Sequence, residues 1–374
     1  MTAVIEEWGE GISELEEWIT EVNQDTLAET AQNLDTQLAE VLLSQDLSED
    51  ERDQWLARIE DWADEVGDLE IAETALEQWW DYPPLVAAMQ GNITEQGAWE
   101  GDLPYFAEKL ALVRLRILQR QGRIQEYIYL AEAEGQQSLF VNMLARSGQV
   151  ARAVAEAQAT LSTASELLSL ARVLVEQNER AAALTVAAHG LDLMEGGNKQ
   201  ELARWTRALA TEAGDAALAL RAAQAAFNDS YTLADYQAVA ALAEDAWPAI
   251  RPALLENLRQ SHAYTKVDIY LHEHMLVEAM AEIDRSLYSD PERVIAATRA
   301  EYPDWGIQQC KRRAESIMNA GKATAYDAAV AWLRIAHDIY RQHGRLNEWQ
   351  AYLAGLLELH GRKYKLVPML RGIR

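Results

Sequence analysis

Cys310 is the only cysteine in the 374 residues, which excludes an intramolecular disulfide and any zinc site built from a cluster of thiolates. Proline is also sparse: of 8, none lies between Pro104 and Pro248, so that stretch is free to run as uninterrupted helix. No apolar run approaches the roughly 20 residues that span a bilayer, and the N-terminus is acidic where a secretory signal would be basic. A cytoplasmic location is the expectation. Basic residues are nearly missing from the first third. Residues 1–105 hold 28 Asp and Glu against Arg52 and Arg58 alone, a net of −26 out of −27 for the whole chain. Residues 106–374 balance, with 32 acidic and 31 basic residues, and from Lys311 to Arg374 the sign reverses, with 12 basic and 5 acidic residues, a net of +7. Phosphate-cradling glycine loops, HExxH and GxSxG are absent as well, so no catalytic site, cofactor or metal is expected.

What is present is one phrase written several times. It reads GRIQEYIYLA from Gly122, GQVARAVAEA from Gly148, NERAAALTVA from Asn178 and GDAALALRAA from Gly214. Each copy begins with a residue that tolerates positive φ, follows an apolar-periodic helix, and opens a second helix with Ala and Leu at three- and four-residue spacing. The starts lie 26, 30 and 36 residues apart, within the range of helical-hairpin repeats but too irregular for a strict tetratricopeptide array. One hairpin cannot bury its apolar face alone, so neighbours must stack. The pattern predicts an all-α fold, an elongated right-handed α-solenoid of stacked antiparallel helix pairs, tetratricopeptide-like with irregular repeats.

Residues 1–104 read as an acidic N-terminal helical segment and 105–374 as the solenoid. Trp8, Ile12, Leu15, Ile19 and Val22 keep helical spacing, as do Leu27, Leu34, Leu38 and Val41, and then Trp55, Ile59, Trp62 and Val66. Thr26 with Glu29, and Ser48 with Glu51, have the spacing of capping boxes and predict helix starts. A further helix carries Leu69, Ala72, Leu76, Trp79 and Trp80, with Pro83-Pro84 closing it. The glycine-rich stretch 91–104 predicts a boundary loop. Beyond Phe227, paired helices are predicted over 231–243 and 247–258, then 263–272 and 276–287, with a start signal at Ser289-Asp290-Pro291-Glu292. A break falls at Pro303. Two longer helices, 326–343 and 346–360, hinge at Gly344-Arg345.

Several of these segments resemble a known family. RILQRQGRIQEYIYLA, WTRALATEAGDAALALRAAQAAF, VDIYLHEHMLVEAM, YPDWGIQQCKRRAESIMNAGKATAYDAAVAWL and EWQAYLAGLLELHGRKYKLVPML are similar to the helical C-terminal region of bacterial SWIM zinc-finger family proteins, over roughly residues 105 to 374. The Cys-x-Cys and Cys-x-His module that names that family has no counterpart here, and four-ligand zinc cannot be built on Cys310 alone. The resemblance therefore implies a fingerless relative, or part of a split protein acting with a separate zinc-finger partner. It carries no catalytic residue onto this chain.

Few residues invite a chemical role. His272 and His274, near His262 and Asp268, point about 200° apart if they share a helix, so they can face one ion only if a turn falls between them. Cys310 beside Lys311 and Arg312 has cations that could lower a thiol pKa, or is a buried, inert thiol. Gly196-Gly197 reads as a loop, with Asn198 a cap for the helix carrying Trp205. Most of the tryptophans before residue 105 lie on apolar stripes and read as core, but Trp79 and Trp80 cannot both point inward from one helix. One of them is a candidate contact with another helix or a partner. Arg362, Lys363 and Lys365 are the remaining candidates, in a tail that either contacts a partner or caps the last helical pair.

The expected function is a non-enzymatic protein–protein interaction scaffold whose acidic head meets a basic partner. The alternative is a nucleic-acid-associated accessory protein using the basic tail, against which the acidic head counts by repelling phosphates.

Overall fold

The computed structural model describes residues 21–66, 69–193, 199–285 and 291–373. Among these every regular element is helical and none is a strand. The chain forms two compact units, residues 1–222 and 223–374, and the loop predicted over 91–104 lies inside the first.

The first unit opens with α1 (Glu21–Leu43), α2 (Glu49–Val66), α3 (Glu70–Glu77) and α4 (Pro83–Met89). Ser48 and Glu51 form the expected reciprocal box: the Glu51 carboxylate accepts from the Ser48 backbone N–H at 2.8 Å, and Ser48 Oγ accepts from the Glu51 N–H at 3.4 Å. The box expected at Thr26 is not a helix start, because α1 is already running from Glu21. The i, i+3 spacing of a capping box is also the spacing of two neighbours on a continuous helix face, so the pattern alone does not separate the cases. The proline pair also works in the opposite sense to expectation. Pro83 is the first residue of α4, where its missing N–H costs nothing, so Pro83-Pro84 opens a helix. Leu38, Leu42, Ile59, Trp62, Ile71 and Leu76 meet Leu110, Val113 and Ile117 in one apolar cluster.

The predicted phrase then becomes hairpins. α5 (Ala107–Arg120) and α6 (Ile124–Ala133) join at Gly122, α7 (Gln137–Arg146) and α8 (Val150–Thr160) at Gly148, α9 (Ala164–Glu176) and α10 (Arg180–Asp192) at Asn178, and α11 (Lys199–Ala213) and α12 (Ala216–Ser230) at Gly214. The four joints have φ of +71°, +82°, +63° and +77°. At each, the following N–H reaches back five residues to a helix carbonyl: Arg123 to Leu118 at 3.0 Å, Gln149 to Leu144 at 2.9 Å, Glu179 to Leu174 at 2.8 Å and Asp215 to Ala210 at 2.9 Å. That is the Schellman closure. The same residue accepts the first bond of the next helix through its own carbonyl, as Arg123 does from Tyr127 at 3.0 Å. One residue thus ends one helix and begins another, and only two or three residues separate the helices. Between hairpins, Gly135 repeats the turn (φ +66°), and Thr163 with Glu166 caps α9 by a capping box. Helices α4 to α11 pack mainly on the next helix or the next but one.

In the second unit α13 (Leu233–Ala243) starts on Thr232, whose hydroxyl accepts from the Asp235 N–H at 3.2 Å. α14 (Trp247–Gln260) carries Pro248 in its first turn and Pro252 inside. α15 (Lys266–His272), α16 (Leu276–Arg285), α17 (Pro291–Thr298), α18 (Pro303–Ala320), α19 (Tyr326–Gln342), α20 (Leu346–Leu359) and α21 (Leu366–Arg371) complete the chain. α18 and α19 pack along their lengths around Cys310, Ala314, Met318, Leu333 and Ala336. Gly344 (φ +70°) makes the predicted joint between α19 and α20, with Arg345 N–H closing onto the Tyr340 carbonyl at 2.8 Å. The predicted helix of Trp8, Ile12, Leu15 and Ile19, the Gly196-Gly197 loop with Asn198, and the Ser289-Asp290 cap lie outside the described residues.

Candidate interaction surfaces

The two arginines of the head are both spent on indoles. Arg52 lies 5.5 Å from the Trp79 ring centroid and 3.5 Å from Asp81, and Arg58 lies 5.8 and 5.5 Å from the rings of Trp55 and Trp62. Trp79 and Trp80 are not on one helix, since α3 ends at Glu77 and Gln78 caps it. Both therefore turn inward. Trp79 is 8% exposed, and Trp80 is half-buried with its indole N–H donating to the Leu43 carbonyl at 2.9 Å and Arg123 over its ring. Trp80 thus contacts the end of α1.

α2 and α3 bound a groove of about 580 Å³. Its floor is Leu56, Ala57, Ile59 and Leu69. Its rim is Glu60 on α2 and Glu70, Glu73 and Glu77 on α3, the last three sharing one helix face by their spacing. Among the described residues every charged one lining it is a carboxylate. Among the described residues Glu70 Oε2 is buried without a hydrogen-bond partner.

At the same end of α3, Leu69 sits in the cap position and has no side chain to satisfy the first amides. Asp35 on α1 does this from outside: it is 4% exposed and accepts from the N–H groups of Ile71 and Ala72 at 2.9 and 2.8 Å. Burial outweighs those two hydrogen bonds and pushes its carboxyl up to about 6, with the neighbouring Glu70 charge adding to the rise. A second buried charge, Arg114 on α5, is 1% exposed. Its guanidinium donates to the Gln78 carbonyl at 2.7 Å, closing the far end of α3, and burial pulls it down to about 10. Glu134 acts nearby, accepting from the Ala98 N–H at 2.8 Å and the Trp99 indole at 3.0 Å, which pins the 91–104 loop.

The C-terminal cations divide. Lys363 donates to the Met318 carbonyl at 2.5 Å near the end of α18, where a cation suits the helix dipole. Arg362 and Lys365 are exposed, with Tyr364 between them 81% exposed, while Leu366 and Leu370 are fully buried. This one segment therefore caps the last helical pair and also presents two cations and an aromatic ring to solvent.

A turn does fall between His272 and His274: α15 ends at His272, and His274 takes φ +54°. The carboxylate between them, Glu273, is held by Tyr236 Oη at 2.8 Å and by Arg251, and Asp268 pairs with Arg293 at 2.7 Å. Among the described residues no group of three or more His, Cys, Asp or Glu side chains could hold a metal ion. Cys310 is fully buried, and desolvation pushes its thiol up to about 12, so the nearby arginine does not activate it. Among the described residues no helix is long and apolar enough to cross a membrane.

Comparison with protein-family models, curated proteins and solved structures finds no match to this chain.

Proposed function

We propose that this protein is a non-enzymatic interaction scaffold, a solenoid of stacked helix pairs whose acidic N-terminal helices engage a basic protein. The observation that carries this reading is the unbalanced charge of the head. Residues 1–105 carry 28 carboxylates and two arginines, and both arginines lie over indoles of the head itself. Stacked hairpins supply a long surface without a closed, dry site, which suits binding more than catalysis. The resemblance of the later segments to SWIM zinc-finger proteins agrees with a helical scaffold acting beside a separate partner.

A second reading rests on the exposed Arg362, Tyr364 and Lys365, since two cations flanking a free aromatic ring suit a nucleic-acid strand. Titrating the full chain with oligolysine, with duplex DNA and with single-stranded DNA, at 50 and 150 mM NaCl, separates the two. The scaffold reading expects salt-sensitive binding of oligolysine and none of DNA. DNA binding that disappears in Arg362→Glu/Lys365→Glu would replace it with the second reading.

A further inference from the structure

The acidic groove between α2 and α3 is more specific than the charge of the head. A solvated acidic surface needs no apolar floor, yet here exposed Ala57 and half-buried Leu56 lie between carboxylates carried by two different helices. Two adjacent helices form the groove into which a third packs by ridges and grooves, as the hairpins of this chain do with one another. Ala57 leaves room on the floor for a large side chain of the incoming helix. The rim selects its charge. Glu70 and Glu77 are seven residues apart, about 10 Å along the axis at 1.5 Å per residue, which matches the rise between cations at i and i+7 on a helix lying alongside. Glu70 is half-buried at that end, and its charge acts on a lysine or arginine seated beside it.

We propose that this groove is a docking site for a basic amphipathic helix, which sets its apolar stripe on Leu56 and Ala57 and its cations against Glu60, Glu70 and Glu77. The proposal rests on the scaffold reading above and narrows its partner to one shape and one place. Such helix-in-groove recognition takes affinity from the apolar anchors and register from the flanking charges.

The test uses the full chain and a fluorescein-labelled 18-residue peptide of Leu and Lys in helical amphipathic order, followed by anisotropy at 50 mM NaCl. A peptide of the same composition, scrambled to remove the stripe, is the control. Three variants are compared: Glu60→Lys/Glu77→Lys reverses the rim, Ala57→Trp fills the floor without changing charge, and Glu95→Lys/Asp102→Lys makes the same charge change at exposed positions of the 91–104 loop. All alter surface positions, and the two groove variants report independently if one of them folds poorly.

The expected result is that the rim and floor variants each bind about 10-fold more weakly or worse, that the loop variant stays within about 3-fold, and that the scrambled peptide binds poorly, since a few rim charges and one anchor are worth this much. Equal losses in rim and loop variants, or binding untouched by Ala57→Trp, would overturn the groove and leave a diffuse acidic surface that still takes basic partners. Failure of the unmodified protein to bind any basic peptide at 50 mM NaCl would overturn both readings.

Discussion

Asp35 gives the most exacting test of how the head is built. Its carboxylate is buried and holds two amides of α3 that have no local cap. With the folded-state value raised to about 6 from 3.8, the folded protein keeps this proton over a range where the unfolded chain has released it. The contribution of Asp35 to stability is therefore largest below about pH 4 and declines as pH rises through about 6. A shift of this size corresponds to about 3 kcal/mol at most. The other carboxylates also titrate in this range, so the difference between the wild type and Asp35→Asn is the quantity to measure. Asparagine keeps the shape and one acceptor but turns an N–H toward the second amide, leaving a buried donor unsatisfied at a cost of about 1–3 kcal/mol. Urea unfolding should show the wild type more stable at pH 4.5, with its advantage shrinking by about 2 kcal/mol by pH 7.5. Carbon-13 NMR of the Asp35 carboxyl gives the midpoint directly. An advantage that grows with pH, or a midpoint below 4, would show that the two amides and the helix dipole outweigh desolvation, and the argument would fail.

Three further outcomes follow from the body of the fold. Gly148→Val should lower stability by about 1 kcal/mol or more in thermal melting: a side chain there meets nothing within 4 Å, so the loss is backbone strain at φ +82°. Gly190→Ala should be destabilising by about 1–3 kcal/mol despite alanine's better helix propensity, because the new methyl would sit 2.5 Å from Leu202 Cδ2 and 3.2 Å from Leu167 Cδ1; a raised melting temperature would show that these leucines yield freely. Cys310 should react with a thiol reagent at pH 8 only on the timescale of unfolding, since its thiol is buried and raised to about 12, and rapid labelling of the native protein would contradict that burial.

The hairpins were legible in the sequence because their joints use residues with a conformational signature. Few side chains accept positive φ, so a Gly or Asn between two apolar-periodic stretches marks the turn, as at Gly122, Gly148, Asn178 and Gly214. His274 makes the same turn, closed by the Met275 N–H on the Tyr270 carbonyl at 2.8 Å, but histidine announces no turn. The proline pair carries no direction of its own, because proline is equally compatible with ending one helix and starting the next. The buried charges left almost no local trace, since Asp35 acts on Ile71 and Arg114 on Gln78, each 36 residues away. One signal was available. Leu69 is a helix start without a capping side chain, and buried amides must be satisfied somewhere. The acidic groove was legible only as charge, because its floor exists once α2 and α3 lie side by side.

The placement of Asp35 and Glu70 links the fold of the head to its proposed use. Glu70 borders the groove, and its charge is one of the causes that raise Asp35. A lysine or arginine seated against Glu70 would offset that charge and favour the ionised form of Asp35, so docking should lower the Asp35 midpoint from about 6 toward its ordinary value. Linkage then fixes the sign of the reciprocal effect: if docking releases a proton, affinity must rise with pH across the range in which Asp35 titrates, and level off above it. The Asp35→Asn protein has no such proton, so the difference in pH dependence between it and the wild type isolates this term from the titration of the rim. Anisotropy with the amphipathic peptide between pH 5 and 7.5 measures it, and the carboxyl carbon of Asp35 reports the midpoint with and without peptide. A midpoint unmoved at saturating peptide would place the bound cations away from Glu70, at the Glu77 end of α3.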